Sequence, residues 1–420
     1  MHPKLQETLS KYSTIILVGG GTGGHVQPIV SVIQYFKDSK NPTLQQSNIL
    51  WIGGKNSQEE QAARENDVEF SSIPTFKLAT TRSPKIFLYP FILIRGIFEA
   101  RKILGKVADE KQDNGGSEGE TVWAKKITWK WWAEQEGASF STTDAFGTFG
   151  NKSTDIGIWK GRVAVFSKGW PWSVAVGIAA WSLGIPLYIH ESDTIPGRSN
   201  RILGKIATRI FLGFDSAKKY FDPNKCETIG QILSPIFSVQ HSNIPTFQHS
   251  IFWKTDKKHL LAICGSQWSR AIFEELLKNL ETILKENEII LILGKLNTNM
   301  RKDFETIIKD SKTPRLQDSI QLLDWISQED LAHLIHDTDI AITRGSATTL
   351  AELTSFNNSP LKINNLELII VPLPYAADNH QYYNALEYEK LWHTFLEQKN
   401  LNQLSETLKK LWQNSQPSSI

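Results

Sequence analysis

Three things are scarce in this 420-residue chain: cysteine, excess charge of either sign, and long apolar segments. The two cysteines, Cys226 and Cys264, lie far apart with no metal-ligating partner at short spacing, which excludes a disulfide framework and a cysteine-based metal site. A formal net charge of only +2 excludes a global basic field, so we expect no nucleic-acid partner. The longest apolar run, IFLYPFILI at 86–94, is about half as long as a membrane-spanning helix, and the first residues lack the apolar segment of a secretion signal. We therefore expect a protein of the cytoplasm.

Short apolar runs rich in β-forming residues alternate with helical patterns along two parts of the chain. Such runs are typical of strands that crossover helices cover on both faces, so the pattern predicts two α/β domains, each with a doubly wound parallel sheet. Residues 107–158 lack apolar periodicity and are rich in glycine, serine, threonine and charge, so we expect a mobile insertion there. The expected parts are an N-terminal domain over 1–230, a polar linker over 231–255, a C-terminal domain over 256–395, and a final helix and tail over 396–420.

The segment GGGTGGH at 19–25 places five glycines in seven positions between a predicted strand and a predicted helix. Backbone N–H groups and the helix dipole favour an anion there, and glycine admits a ligand close to the backbone. The segment lacks the spacing of a dinucleotide fingerprint and the Gly-Lys-Ser/Thr ending of a Walker loop. We expect a ligand loop; the alternatives are a tight turn without a ligand and, more remotely, the NAD site of an oxidoreductase.

Three further loops, at strand ends of the second domain, carry small, hydroxyl and amide side chains. They are CGSQWSR at 264–270, TRGSATTLAE at 343–352 and PLPYAADNHQYYNAL at 372–386. Because loops beyond the carboxyl ends of parallel strands share one edge of the sheet, they predict a site for a ligand with many hydroxyls, such as a nucleotide sugar. Glu352 would accept hydrogen bonds from a ribose diol or, alternatively, only interact with its helix dipole.

Six segments, in this order, resemble blocks of the MurG family of bacterial glycosyltransferases: GGTGGHVQP, AAWSLGIPLYIHESDTIPGRSNR, GSQ, DWISQEDLAHLI, RGSATTLAE and DNHQYYNAL. The resemblance covers most of residues 13–395. It implies the GT-B fold, in which two Rossmann-like domains face each other across a cleft. It also implies transfer of N-acetylglucosamine from UDP-N-acetylglucosamine to the 4-hydroxyl of undecaprenyl-pyrophosphoryl-MurNAc-pentapeptide, the step from lipid I to lipid II in peptidoglycan synthesis.

The resemblance further implies roles for individual residues. His25 would orient or deprotonate the acceptor hydroxyl, and Asp193 stands beside the acceptor where the family usually has asparagine. The other implied substrate-binding residues are Thr22, Gly23 and Gly24 at the acceptor, Ser266 at the donor diphosphate, Ile326 at the uracil, Ala347, Thr348, Thr349, Leu350, Ala351 and Glu352 around phosphate and ribose, and His380 and Gln381 at the transferred sugar.

The implied reaction needs no cofactor and no metal ion. The acceptor hydroxyl displaces UDP with inversion, and backbone amides and a helix dipole stabilise the departing diphosphate. A lipid-linked acceptor also implies contact with the membrane surface. Residues 82–106 combine apolar and aromatic side chains with basic flanks, which suits an interfacial element, although a core helix is the alternative. We therefore expect a peripheral protein on the cytoplasmic face of the cell membrane.

Several residues depart from the family pattern. Trp268 follows GSQ where the family has glycine, and Phe237 stands where the family has an arginine directed at the donor phosphates. A transferase for another lipid acceptor and a non-catalytic homologue that binds glycan lipids therefore remain alternatives. Trp170 and Trp392 also occupy family glycine positions. Because some bacteria read the UGA codon as glycine while other translation tables read it as tryptophan, we hypothesise that several of the 14 tryptophans are glycines in the native protein.

Overall fold

The computed structural model describes residues 1–21, 23–39, 47–74, 89–109, 163–237, 252–254, 257–265, 269–294, 297–310, 317–357 and 366–414. Thr22, Ser266 and Trp268, most of the predicted insertion and much of the predicted linker lie outside the described residues. The first three residues of the predicted insertion, 107–109, are the end of a helix.

The first parallel sheet contains β1 (Thr14–Val18), β2 (Asn48–Gly53), β3 (Glu69–Ser72), β4 (Val163–Ser167), β5 (Leu187–Glu191), β6 (Arg209–Leu212) and β7 (Cys226–Thr228). Its strand order is β3-β2-β1-β4-β5-β6-β7. The helices of this half are α1 (Pro3–Leu9), α2 (Gly23–Lys37), α3 (Gln58–Glu65), α4 (Tyr89–Asp109), α5 (Pro171–Ser182) and α6 (Arg198–Ile206).

The second parallel sheet contains β8 (Lys258–Ile263), β9 (Asn287–Ile292), β10 (Ile320–Leu323), β11 (Ile340–Thr343), β12 (Glu367–Ile370) and β13 (Thr394–Phe395). Its strand order is β10-β9-β8-β11-β12-β13. The helices of this half are α7 (Arg270–Lys278), α8 (Leu280–Glu286), α9 (Thr298–Asp310), α10 (Gln328–His336), α11 (Ala347–Thr354), α12 (His380–Glu389) and α13 (Leu404–Asn414).

Both sheets are buried on their two faces, as the continuous apolar strands predict. Every residue of β1 and of β4 is buried, and β8 packs between α-helical layers that contribute separate core clusters. Each strand order reverses direction at one point, between β1 and β4 in the first sheet and between β8 and β11 in the second. Ligands of doubly wound sheets bind at such switch points, beyond the carboxyl ends of the strands.

The chain passes between the two halves through a segment that packs against both. Ser234 Oγ and Gln34 Oε1 of α2 are joined by a hydrogen bond of 3.1 Å. Phe237 is buried in the core of the second half, with its ring centroid 6.2 Å from that of Phe356. The side chain at the position of the family arginine is therefore a core residue in this chain.

The amphipathic helix α4 contains the described part of the predicted interfacial region. Ala100, Leu104 and Ala108 are buried against the first core, whereas Phe91 and Phe98 remain exposed. In the part of the chain that the structure describes, no helix is both long and apolar enough to cross a membrane.

Candidate active site

The described glycines of the first ligand loop serve two different purposes. A Cβ atom on Gly20 would collide with the carboxyl group of Glu59, which is fully buried and accepts hydrogen bonds from Gly21 N and Gly54 N at 3.1 Å each. A Cβ atom on Gly23 or Gly24 would instead meet no atom of the described part of the chain within 4 Å. The last two glycines therefore leave open space at the start of α2, where a ligand can approach the backbone.

His25, in the first turn of α2, has its ring oriented by the backbone of the neighbouring strand end. Its Nδ1 atom lies 3.0 Å from the carbonyl oxygen of Lys168, directly after β4. Since a carbonyl oxygen only accepts, Nδ1 carries the proton and Nε2 keeps its lone pair. Burial, and to a smaller extent the positive charge of Lys168, lowers the pKa of His25 to about 4. The imidazole is therefore neutral at pH 7 and presents an acceptor nitrogen.

Lys168 is itself buried, and its ammonium group connects the ends of β4 and β5. Nζ donates to His190 Nδ1 at 2.7 Å and to the hydroxyl of Ser192. Because His190 Nδ1 accepts, Nε2 carries the proton and donates to Gly230 O at 2.9 Å. Burial lowers the pKa of Lys168 to about 8, although the carboxylates of Glu191 and Asp193 oppose this shift. The lysine thus holds the HESD segment beside His25.

Glu191 holds the loop between β5 and α6 in a fixed shape. Its carboxyl oxygens accept hydrogen bonds from Asp193 N at 2.9 Å, Gly197 N at 3.1 Å and Asn200 Nδ2 at 2.9 Å. Burial, with a contribution from the charge of Asp193, raises the pKa of Glu191 to about 7. This loop carries Asp193, which the sequence places beside the acceptor.

Asn384 of α12, which is fully buried, joins the two halves of the protein across the cleft. Its Oδ1 atom accepts from the backbone N and the hydroxyl of Thr194, both at 3.0 Å. Its Nδ2 atom donates to Asp193 Oδ1 at 2.8 Å and to Gly345 O at 3.0 Å. The acceptor-side loop and the RGSATTLAE loop therefore meet at one side chain.

The second half presents its predicted sugar-reading residues at the same place. His380 Nδ1 donates to Ala377 O at 2.7 Å, and His380 lies near enough to His25 that a charge on it would lower the pKa of His25. Gln381 Oε1 accepts from Leu373 N at 3.0 Å, and a Cβ atom on Gly345 would lie 2.2 Å from Gln381 O. Only glycine at position 345 lets the two loops pack this closely.

Helix α11 begins just beyond the carboxyl end of β11, after a loop in which Gly345 O accepts a hydrogen bond from Asn384. Ala347 and Leu350 are core residues, so their side chains anchor the helix, and Thr349 is half-buried. Glu352 is buried, which raises the pKa of its carboxyl to about 7 although a hydrogen bond with Gln328 opposes the shift. Thr348 is buried and Ala351 half-buried on the same helix, and Ile326 packs on the second core near β10.

Asn384 joins Asp193 to the Gly345 loop, against which Gln381 packs, and Lys168 joins the HESD segment to His25. Gly23 and Gly24 precede His25 on α2, and His380 precedes Gln381 on α12. The substrate roles of these residues, and of Thr22 and Ser266, stay predictions. Sequence reasoning missed Lys168, Glu191 and Asn384 as site-forming residues. The only signal for Glu191 and Asn384 was their place inside two of the motif blocks, at HESD and in DNHQYYNAL, and Lys168 lies in none of the six blocks.

Comparison with known proteins identifies the family of both halves. Residues 15–113 and 138–212 match the glycosyltransferase family 28 N-terminal domain, and residues 259–419 match the family 28 C-terminal domain. A Geobacillus kaustophilus protein named UDP-N-acetylglucosamine–N-acetylmuramyl-(pentapeptide) pyrophosphoryl-undecaprenol N-acetylglucosamine transferase is 28% identical over 380 residues, covering 90% of this chain and 83% of the relative. A Clostridium perfringens protein of the same name is 27% identical over 410 residues, covering 97% of this chain and 92% of the relative.

Solved structures confirm the predicted GT-B fold. The crystal structure of Acinetobacter baumannii MurG has a TM-score of 0.57 and 20% identity, covering 97% of this chain and 96% of that chain. The UDP-GlcNAc 2-epimerase of Neisseria meningitidis, solved with UDP-GlcNAc bound, has a TM-score of 0.54 and 12% identity, covering 94% of this chain and 91% of that chain.

Proposed function

Because the chain belongs to glycosyltransferase family 28, we propose that it transfers N-acetylglucosamine from UDP-N-acetylglucosamine to the 4-hydroxyl of the lipid-linked N-acetylmuramyl-pentapeptide, with inversion and without a metal ion. The observation that carries the proposal is the cleft itself. His25 is oriented in one half, α11 begins at the carboxyl end of β11 in the other, and Asn384 joins loops of both halves.

His25 acts on the acceptor hydroxyl. As the hydroxyl oxygen forms its bond to the anomeric carbon, its proton passes to the free Nε2 lone pair, and the bond between that carbon and the diphosphate breaks with its electrons leaving on UDP. Groups with a pKa near the working pH are the best general bases. With a pKa of about 4, His25 contributes more by orienting the hydroxyl than by basicity.

The N-terminus of α11 acts on the leaving group. Its free backbone N–H groups and its dipole favour negative charge, which increases on the diphosphate as the bond breaks. Buried Ala347 and Leu350 fix the helix, so these donors need little reorganisation during the reaction. Ser266 in the adjoining loop, Ile326, Glu352 and Gln381 complete the proposed donor site.

Helix α4 provides the contact with the membrane surface. Phe91, Ile94 and Phe98 are each more than half exposed and recur at intervals of three and four residues, so they lie on one face. Arg95 and Lys102 are exposed on the same helix. Apolar and aromatic side chains beside basic ones favour binding to the interface of an anionic bilayer. This arrangement supports a peripheral position on the cytoplasmic face of the membrane.

The test is UDP release from UDP-N-acetylglucosamine in the presence of a short-chain lipid I analogue. The proposal predicts turnover that depends on this acceptor and persists in EDTA. Turnover only with other lipid acceptors would identify a different transferase, and binding without turnover would identify a non-catalytic homologue. His25→Ala should lower kcat by about 10²-fold, the low end of the range for a general base, because the depressed pKa of His25 limits its basicity. His2→Ala, an exposed histidine in front of α1, is the control and should leave kcat unchanged.

A further inference from the structure

Six non-glycine residues among those described have positive φ angles. Four of them are asparagine or aspartate, the residue types that most readily adopt this conformation. The other two are Trp170, with φ of 102°, and Trp392, with φ of 70°. For a bulky side chain such angles are outliers, so both tryptophans stand where the backbone requires glycine or a short polar residue.

Trp392 occupies the C′ position of a Schellman motif at the end of α12. His393 N donates to Tyr388 O and Trp392 N donates to Glu389 O, which are the two hydrogen bonds of this motif. The same pair of bonds ends α5 and α3, where the C′ residues are Gly184 and Asp67. The Trp392 side chain is 91% exposed, so packing does not stabilise an indole at this position.

Trp170 is in a more restrictive conformation, directly in front of α5. Its φ of 102° and ψ of 153° fall in a region populated almost only by glycine. The indole lies on the ligand loop: a Cβ atom on Gly21 would be 2.0 Å from the indole Cε2 atom, and the His25 ring centroid is 5.3 Å away. The indole Nε1 atom is buried and has no hydrogen-bond partner among the residues that the structure describes.

Trp51 shows how a tryptophan that belongs to the fold is accommodated. It is fully buried on β2, its Nε1 atom donates to Gly19 O at 3.1 Å, and its φ is not among the positive ones. Its indole fills core volume and satisfies its one donor. Trp51 thus differs from Trp170 and Trp392 in its backbone φ angle.

We propose that glycine stands at positions 170 and 392 of the native protein, and that glycine at position 170 opens the space over Gly21 and beside His25 to the sugar of the acceptor. A codon read as glycine in the source and as tryptophan in the translated sequence accounts for both positions. The acceptor role of the space at position 170 rests on the proposed function, whereas the assignment of glycine at 170 and 392 does not.

The Trp170 indole covers the glycine loop at Gly21, next to His25, the candidate base. Removing the indole therefore changes the space in which the acceptor would react. Without the indole, the sugar ring of an acceptor that lies at the open start of α2 also reaches the backbone at Gly21. Water and substrate also reach the His25 ring, which relieves the burial that depresses its pKa. Its pKa then moves back toward the ordinary range, where a general base is more effective.

Tandem mass spectrometry of peptides from the protein isolated from its source organism tests the assignment directly. We expect glycine at 170 and 392 and tryptophan at 51. Tryptophan at 170 or 392, or glycine at all three positions, would overturn the assignment. This readout does not depend on any activity.

Thermal unfolding of recombinant protein made with the printed sequence tests the backbone argument. Trp392→Gly removes an exposed side chain from a position with positive φ, so it should raise the melting temperature by about 2 °C or more. Trp51→Gly should lower it, because it empties a buried site and a hydrogen bond. A lower melting temperature for Trp392→Gly would contradict the inference.

Transfer to a lipid I analogue tests the role of the space. Trp170→Gly should raise kcat/KM by at least about tenfold over the printed sequence, whereas Trp392→Gly should leave it unchanged. Equal kcat/KM for the proteins with tryptophan and with glycine at position 170 would refute the proposal that this space receives the acceptor sugar. If the peptides contain glycine but neither form transfers the sugar, the proposed function fails while the glycine assignment stands.

Discussion

Asn384→Leu is the substitution that most directly tests whether the two halves act as one site. Asn384 makes three hydrogen bonds across the cleft, two to Thr194 and one to the Asp193 carboxylate, and a fourth within its own half, to Gly345 O. Leucine has a similar volume but makes none of them. The carboxylate of Asp193 and the carbonyl of Gly345 would then remain in a buried place without this partner, unless the cleft opens to water.

The size of the effect follows from these bonds. A neutral hydrogen bond contributes about 0.5–1.5 kcal/mol net and one to a charged group about 1.5–3 kcal/mol. Taking the lower values for the three bonds that cross the cleft, because water enters an opened cleft, we expect a loss of about 2.5 kcal/mol of closed-state stability, or about 70-fold in kcat/KM. The radius of gyration of the free protein from small-angle scattering should increase at the same time.

Ser234→Ala is the matched control. It removes one neutral hydrogen bond between the halves, to Gln34, and we expect less than about a tenfold change in kcat/KM. Unchanged kcat/KM and radius of gyration in a folded Asn384→Leu protein would refute the reasoning, since the cleft would then close without this side chain.

Three further predictions concern pH and the membrane. Burial raises the pKa of Glu352 from 4.5 to about 7, so between these pH values the native state holds a proton that the unfolded chain releases, and the free energy of unfolding falls as pH rises. Glu352→Gln should therefore stabilise the protein in urea unfolding at pH 8, by at most about 3 kcal/mol, but not at pH 4. Equal effects at the two pH values would contradict this. Transfer should decline as pH rises through about 8, where Lys168 loses its proton, and Lys168→Met should abolish this limb of the kcat/KM profile. The double substitution Phe91→Ser and Phe98→Ser should reduce cosedimentation of the protein with anionic vesicles. Ile202→Ser, which changes an exposed residue of α6, should not reduce it. Equal losses in the two proteins would argue against α4 as the docking face.

The sheets were predictable because their strands are continuous apolar runs. Both predicted α/β domains contain a parallel sheet, and the predicted ligand loops follow the carboxyl ends of β1 and β11. The strands that were not predicted, such as β3 (EFSS) and β7 (CET), are short and polar. Both lie at sheet edges, where one side of the strand is unpaired and side-chain patterning is weak.

The partners within the site were less predictable than its location. Glycine and hydroxyl runs marked the loops, since they reflect local backbone requirements. Asn384 and Thr194, by contrast, are 190 positions apart, and Lys168 meets His190 only after two parallel strands have paired. Such long-range contacts between buried polar groups depend on tertiary structure, and no local pattern indicates them.

The most direct test of the account is the stereochemistry of the product formed from UDP-N-acetylglucosamine and a short-chain lipid I analogue, read from the anomeric proton by NMR. The account predicts an acceptor-dependent disaccharide with a β linkage at the 4-position of the muramyl sugar, because the hydroxyl beside His25 attacks opposite the departing UDP. An α linkage, or no product from a folded protein with glycine at position 170, would contradict it.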